Sequence, residues 1–546
     1  MPTHQPPRWP MLPSDLGMYL TTCTSGKFFS IHAGNQFVER GAAPESRGRE
    51  QLLAIGFDQL HQAWDTDPGD PTLAHQLINL DQTLGGILSP AKREAIISMG
   101  NTFRGPVSWR DRRGELLAQG GDAMRDAVEP ELRAEPGNLH WWWQASECAS
   151  EHNQWEWLLD MASTLPAGLC SVYAQRARAD ALFHLGRYAE AFEGYRQLTG
   201  AMEWPGLDLR VGECLLRSGD RAGAIALWRD SVLTKPWQTN LVLHLHDVLT
   251  GADAPGPAPD GQTFLLLYSW NKGESLNNTL ASLAESDLSD ARIKVLDNGS
   301  TDSTPDVVRV WAERFGADRF EALSTLVNVG APAARNWLMH LPDVRQGDNV
   351  IYMDDDIYLP TDWLGSMGAA QRAYPEAAVW GCRVVDSTRP HIVQHADEFL
   401  GAPREEDNIS VGFCCQCLDV LDYGQFSYMR PCTSVTGCLH MFRTAELHEL
   451  GGFDLQFSPS QFDDAEHDLM LVSKGRTPVY QGHLRILHER NTGAQWNDRD
   501  KPYGIDGNYY KLNKKYSGDA VREIRTRSYA TVLSDLRRKL AVIADQ

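Results

Sequence analysis

The sequence has no apolar run long enough to span a bilayer, and its start, MPTHQPPRWPMLPSDLGMYL, lacks the continuous apolar core of a secretory leader. Both absences argue against a membrane span or a signal peptide and lead to the expectation of a cytoplasmic protein. Basic residues are scarce beside acidic ones, 51 Lys+Arg against 72 Asp+Glu, giving a formal net charge of −21. Nucleic acid and anionic membranes demand a basic face, so neither is expected as the main partner. The 10 cysteines lack paired zinc-module spacing: Cys414, Cys415 and Cys417 are followed by Cys432 and Cys438 at gaps that make no second pair. Reduced structural thiols are the favoured reading. The stretch YSWNKGES is also poor in the Gly and Lys/Arg of a phosphate-cradling loop, which argues against nucleotidyl transfer.

What is present divides the chain. A length of 546 residues suits about three domains. The Gly-, Pro-, Ala- and Asp-rich stretch 251–262, GADAPGPAPDGQ, supports neither helix nor strand and reads as a linker. Before it, 181–198 and 214–232 align at an offset of 33, matching Gly186 with Gly219, Ala191 with Ala224, and Tyr195 with Trp228. Small residues at such places let antiparallel helices approach closely, while the aromatics fill the gap to the next hairpin. The pattern resembles tetratricopeptide repeats and sets a helical repeat region at 136–250. The Trp-rich stretch 140–163 reads as a divergent helical neighbour packed by its indoles, and His244 and His246 read as packed or solvent-facing helix residues. Residues 1–135 show helices such as Arg49 to Trp64 and no legible role.

From Thr263 the pattern alternates between apolar strands and helix-like spacing, first in TFLLLYSWNKGESLNNTLASL and again in IKVLDNGSTDSTPDVVRVWAERF. Successive units of this kind predict an α/β domain over 263–546 with a mainly parallel sheet, whose ligands bind beyond the strand C-termini. At that edge VIYM runs into Asp354, Asp355 and Asp356. Three adjacent carboxylates repel one another unless water or a cation compensates them. In an extended segment Asp354 and Asp356 point to one side and can share a hard divalent ion, with Asp355 facing elsewhere. A second acidic group, FDDAEHDL, opens a predicted helix, where negative charge is also favourable for capping alone.

These pieces, with NVGAPAARNWLM, GCLHMFRTAELHELGGFD and ILHER in this order, resemble family-2 glycosyltransferases of the GT-A fold from about Thr263 to Gly518. The resemblance implies a nucleotide-diphosphate sugar donor, bound by Tyr268, Trp270, Asn271, Asp297, Asn298, Arg335, Asp354 and Asp355. Trp270 stands where the family usually has Tyr. It further implies Mn²⁺ or Mg²⁺ at a DxD-type site of Asp354, Asp356 and His488, with Asp356 favoured as the direct ligand and the register within DDD left open. Counting back from Gly475, which lies 13 residues before His488, puts Asp464 in the role of catalytic base; counting from Asp468 and Leu469 gives that role to Glu466. Inverting transfer to a hydroxyl of a glycan or protein acceptor follows from the family. The segment from Asn491 to Gly518 is read as a loop closing over the donor or a solvated tail, and the last 18 residues as an amphipathic helix packed on the protein. The competing reading is an adaptor, whose helical repeats bind a protein partner and whose second half is a degenerate nucleotide-sugar binder.

Overall fold

The structure is a computed structural model that describes residues 9–22, 26–166, 168–201, 204, 206–407, 409–414, 417–489 and 501–546. The chain divides into two compact units: Met1–Leu245 with Val420–Gln425 and Ile543–Gln546, and His246–Asp419 with Phe426–Val542. No helix among the described residues is long and apolar enough to cross a membrane.

The first unit is built on helices. Their starts are set by local chemistry: the Asp70 side chain accepts from the Thr72 and Leu73 amides ahead of helix Pro71–Thr83, and Ser89 accepts from Lys92 ahead of Pro90–Thr102. In both, a proline at the first position fits because its missing N–H would have no helical partner there. The two stretches aligned by the sequence are helical hairpins, Ser171–His184 with Tyr188–Ala201 and Leu207–Arg217 with Arg221–Thr234. Gly186 and Gly219 occupy the same place in each turn, at φ of 75° and 91°, a conformation an L side chain resists. Ala191, Ala224, Tyr195 and Trp228 are all fully buried, as their matched spacing requires. The neighbouring helices Leu139–His152 and Trp155–Thr164 bury Trp141, Trp142 and Trp155, so these indoles serve packing. His244 is likewise a packed residue, its Nε2 2.6 Å from Glu213.

The second unit centres on a mixed sheet with mostly parallel strands. Strands β1 (Thr263–Ser269), β2 (Arg292–Asp297), β3 (Phe320–Ser324) and β4 (Asn349–Met353) lie in the order β3-β2-β1-β4, all parallel. Beyond β4 the strand Leu439–Arg443 runs antiparallel, followed by β6 (Val379–Asp386), Pro478–His488 and the short β5 (Ile357–Tyr358). Alternation along each strand decides which side chains enter which layer. Leu265 and Leu267, Ile293 and Val295, and Ile351 and Met353 pack with Leu276, Leu280, Trp311, Trp363 and Met367 from the crossover helices. On the other side Tyr352 donates to the Arg335 carbonyl at 3.0 Å and meets Phe453 edge-on.

The stretch 251–262 is seated along helix Trp363–Ala373: Gly256 N donates to the Gly365 carbonyl at 3.2 Å, and Arg372 donates to the Pro257 carbonyl at 2.7 Å. A Cβ at Gly368 would meet the Pro257 oxygen at 2.2 Å, so glycine there is a condition of the contact. The last helix, Gly518–Asp545, buries Val521, Ile524, Val532, Leu536 and Leu540, in keeping with an amphipathic helix packed on protein. One expectation is corrected. Within the segment read as a loop over the donor or a solvated tail, Lys501–Lys515 is helical, and Lys515 pairs with Asp454 at 2.5 Å and Glu466 at 2.7 Å. The first part of that segment, 490–500, and Cys415 lie outside the described residues. Among the described residues the cysteines are free, as reduced thiols.

Candidate active site

Backbone register assembles the site before any side chain acts. Leu439 pairs with Met353, so the next pair along the ladder is Cys438 with Asp354, whose N–H donates to the Cys438 carbonyl at 3.0 Å. At the other end of the acid triplet His488 pairs with Ile357, and Glu489 N donates to the Asp356 carbonyl at 3.0 Å. Asp354, the Cys438 thiol and the His488 ring are thereby brought together, with one ligand atom from each lying within 4.8 Å of the others. This spacing suits a divalent ion bound by side chains.

The three aspartates play unequal parts. Lys272, just after β1, places its ammonium 3.2 Å from Asp355 and 2.7 Å from Asp356. His488 Nε2 is 3.3 Å from the second oxygen of Asp356. Burial raises the Asp356 pKa, but the His488 hydrogen bond and the Lys272 charge outweigh it and hold the carboxyl well below the usual range. Asp354 has the opposite balance. Burial and the Asp356 charge push it up to about 6 against Arg335, whose guanidinium is 3.8 Å away. Asp354 is also the most open of the three, its side chain 27% exposed.

The His488 ring is oriented from behind. Gln394 Oε1 lies 2.7 Å from His488 Nδ1, and Gln394 Nε2 donates to the His488 carbonyl at 3.2 Å, which fixes the amide so that its oxygen faces the ring. Nδ1 therefore carries a proton, and Nε2 faces the acids; burial lowers the His488 pKa but the Asp356 hydrogen bond and charge prevail and raise it, so the charged ring also donates from Nε2 to Asp356 until an ion takes that nitrogen.

The second acidic group meets the first through Arg335, which is 4% exposed and 2.6 Å from Asp463. Arg335 thus bridges the two acid groups, 3.8 Å from Asp354 and 2.6 Å from Asp463. Burial and the Asp464 charge push Asp463 up to about 6 despite Arg335. For Asp464, burial also raises the pKa, but Arg335, His440 and the amides of Ala465 and Gly437 prevail and keep it below its usual value. Gly437 N donates to Asp464 Oδ2 at 2.7 Å, and a Cβ on Gly437 would meet that same oxygen at 2.7 Å. Asp464 therefore lies one residue from the Cys438–Asp354 contact. Glu466, the other candidate base, is 2% exposed and engaged by Tyr516 at 2.9 Å and by Lys515. Asp468 is fully buried and accepts from Ser434 and Val435.

The residues read from the sequence as donor-binding are gathered by the loops after β1, β2 and β3. Asp297 accepts from Ser300 N at 3.0 Å, Asn271 accepts from Thr301 N at 2.7 Å, and Asn298 accepts from Val329 N at 3.0 Å. Tyr268 and Trp270 are half-buried at the end of β1, with the Arg335 guanidinium 5.6 Å from the Tyr268 ring. Asp297 also opens onto a cavity of about 620 Å³ bounded by Val308, Ala312, Phe320 and Ala322.

Sequence reasoning missed Cys438, Lys272, Gln394 and Glu489. The register of Leu439–Arg443 against β4 was the available signal for Cys438, but the sequence does not reveal which strands pair. Glu489 accepts from Ser275 at 2.7 Å and from Tyr358 at 2.5 Å, securing the end of the histidine strand.

Among solved structures, the chain is similar to a mannosyltransferase from Pyrobaculum calidifontis in complex with GDP-Man and Mn²⁺, at 15% identity and a TM-score of 0.35, covering 56% of this chain and 85% of that one. It is similar to GalNAc-T7 with UDP, GalNAc and Mn²⁺ at 12% identity and a TM-score of 0.37, over 48% of this chain and 49% of the other. A third, S. aureus TarS, is 16% identical with a TM-score of 0.30, over 42% and 36%. No curated protein matches the chain. Residues 266–446 match the family model described as Glycosyl transferase family 2, and this segment carries most of β1, all of β2 through β4, the acid triplet and Cys438.

Proposed function

We propose that the chain is a divalent-cation-dependent, inverting glycosyltransferase that moves a sugar from a nucleotide diphosphate to a hydroxyl of a glycan or protein. The observation that carries this reading is the meeting of Asp354, Cys438 and His488 within 4.8 Å, one residue from the Gly437–Asp464 contact. It supplies a cation site beside a carboxylate placed to take a proton. The donor set fits Mn²⁺, which accepts carboxylate oxygens such as those of Asp354 and Asp356 together with the His488 nitrogen, better than Mg²⁺, which would draw on the carboxylate oxygens alone.

In this reading Asp354 and His488 hold the ion, whereas Asp356, which the sequence favoured as the direct ligand, stays paired with Lys272 and steadies the site from behind. When bound, the ion neutralises the diphosphate charge that grows as the bond to the sugar breaks. Asp297 accepts a hydrogen bond from the nucleobase, with Trp270 and Tyr268 supplying aromatic surface at the end of β1. Asn271 and Asn298 hold the loops around the nucleoside, and Asp355 keeps Lys272 in place. Arg335 fixes Asp463 and keeps positive charge between the two acid groups. Asp464 accepts the acceptor hydroxyl proton as the oxygen attacks the anomeric carbon from the face opposite the leaving diphosphate. Each Asp464 oxygen has a lone pair beyond the one that meets a backbone N–H, and its depressed pKa keeps it ionised. A positioned base of this kind is worth about 10²- to 10⁴-fold in rate.

The test is a panel of nucleotide sugars offered with Mn²⁺, with Mg²⁺ and with chelator. Metal-dependent thermal stabilisation by one nucleotide, together with donor hydrolysis or transfer, is the expected result. Stabilisation with no donor turnover, even with a cell extract as acceptor source, would favour the adaptor reading.

A further inference from the structure

We infer that Cys438 is a direct thiolate ligand of the ion at this site, making it a mixed oxygen, nitrogen and sulfur centre that prefers softer divalent ions over Mg²⁺. The inference rests on the cation-site reading above and adds to it a ligand that a DxD-type site does not supply. Three observations carry it. The thiol is one of three ligand atoms within 4.8 Å of one another, and the other two belong to Asp354 and His488. The Cys438 main chain is fixed, since its carbonyl accepts from Asp354 N at 3.0 Å and the residue heads the strand that pairs with β4. The histidine already has the arrangement of a metal ligand, with Nδ1 engaged by Gln394 and Nε2 facing the site.

The chemistry follows from ligand softness. A thiolate raises affinity for Zn²⁺, Co²⁺ and Cd²⁺ far more than for Mg²⁺, which demands oxygen ligands. On coordination the Cys438 S–H proton passes to solvent as the sulfur–metal bond forms, so loading releases a proton. The remaining buried thiols, such as Cys382, have no histidine and carboxylate partner set of this kind among the described residues.

Cobalt separates the outcomes. The full chain is titrated with Co²⁺ alone and its absorption recorded: d–d bands in the visible report bound metal, and a near-ultraviolet sulfur-to-cobalt charge-transfer band reports thiolate ligation. The expected result is both bands in the unaltered protein and in Cys382→Ser. Cys438→Ser and Cys438→Ala should keep visible bands and lose the charge-transfer band, while Zn²⁺ affinity falls more than Mg²⁺ affinity. Visible bands without a charge-transfer band in the unaltered protein would overturn the thiolate ligand and leave the cation site standing. No bound cobalt at all would overturn both.

Discussion

The Lys272 ammonium lies 2.7 Å from Asp356, with the two side chains 17% and 4% exposed. A fixed cation of the protein thus compensates two of three consecutive carboxylates, which explains how DDD can end a buried strand. Removing it leaves Asp355 and Asp356 nearly buried without their shared ammonium and with His488 as the remaining charged partner of Asp356, a loss that costs up to about 3–5 kcal/mol. Lys272→Met should therefore melt well below the unaltered protein in chelator and recover more of that loss on Mn²⁺ addition than the unaltered protein gains. Thermal melts with and without Mn²⁺ check this; equal metal-induced shifts in the two proteins would remove Lys272 from the electrostatics of the site.

The two candidate bases should separate cleanly. Asp464→Asn is expected to retain donor binding and lose transfer by about 10²- to 10⁴-fold, because a base acts only once the acceptor proton begins to leave. Glu466→Gln, which disturbs the Tyr516 and Lys515 contacts, should lower stability while transfer per folded molecule persists. Calorimetric donor affinity alongside product formation distinguishes them. Normal transfer in Asp464→Asn beside a crippled Glu466→Gln would hand the role to Glu466.

Gly437 gives an independent probe of the same geometry. Its would-be Cβ meets Asp464 Oδ2 at 2.7 Å and Arg335 Nη2 at 2.9 Å, both closer than real Cβ atoms come. Gly437→Ala should push Asp464 out of place and reduce transfer at least tenfold while nucleotide affinity changes little. The measurement is a comparison of kcat with donor Kd. A variant with unaltered kcat would show that the Asp464 position is not rate-determining.

Acid should act on the helical unit through Glu213. Burial raises its pKa, but Arg217 at 2.7 Å and His244 at 2.6 Å prevail and lower it to about 2. A carboxyl lowered on folding stabilises fully above its unfolded value near about 4.3 and loses that contribution as pH falls toward about 2. Relative to the intrinsic rate at each pH, hydrogen-exchange protection in helix Leu207–Arg217 should fall across that window, and in Glu213→Gln it should be low already at pH 7 and nearly constant into acid. Unchanged exchange in the variant would show that the buried pair contributes nothing there.

Legibility in the sequence followed the range of the physics involved. The strands β1, β2 and β4 and their crossover helices were readable because each depends on local periodicity, and the helical hairpins because Gly186 and Gly219, Ala191 and Ala224, Tyr195 and Trp228 repeat one packing solution. The acid triplet was visible as chemistry without its division of labour. That division depends on Lys272 and His488, which lie 84 residues before and 132 after Asp356 and reach it only through sheet pairing. Cys438 escaped notice because it was judged with its neighbours in sequence, whereas its relevant neighbour is across the ladder from it. The helix Lys501–Lys515 was read as part of a loop or solvated tail because its Gly504 and Gly507 and its polar composition mask the contacts that stabilise it, such as Asn508 donating to the Phe457 and Ser460 carbonyls at 2.8 Å.

The central claim is that a nucleotide diphosphate binds this chain together with a divalent ion held at Asp354. Calorimetric titration of UDP and of GDP, each with Mn²⁺ and with chelator, into the unaltered protein and Asp354→Asn tests it directly. The account predicts that one nucleotide binds the unaltered protein with Mn²⁺, loses at least tenfold in affinity in chelator, and shows the same weak binding to Asp354→Asn whether or not Mn²⁺ is present. Tight nucleotide binding that is indifferent both to chelator and to the Asp354→Asn change would contradict it.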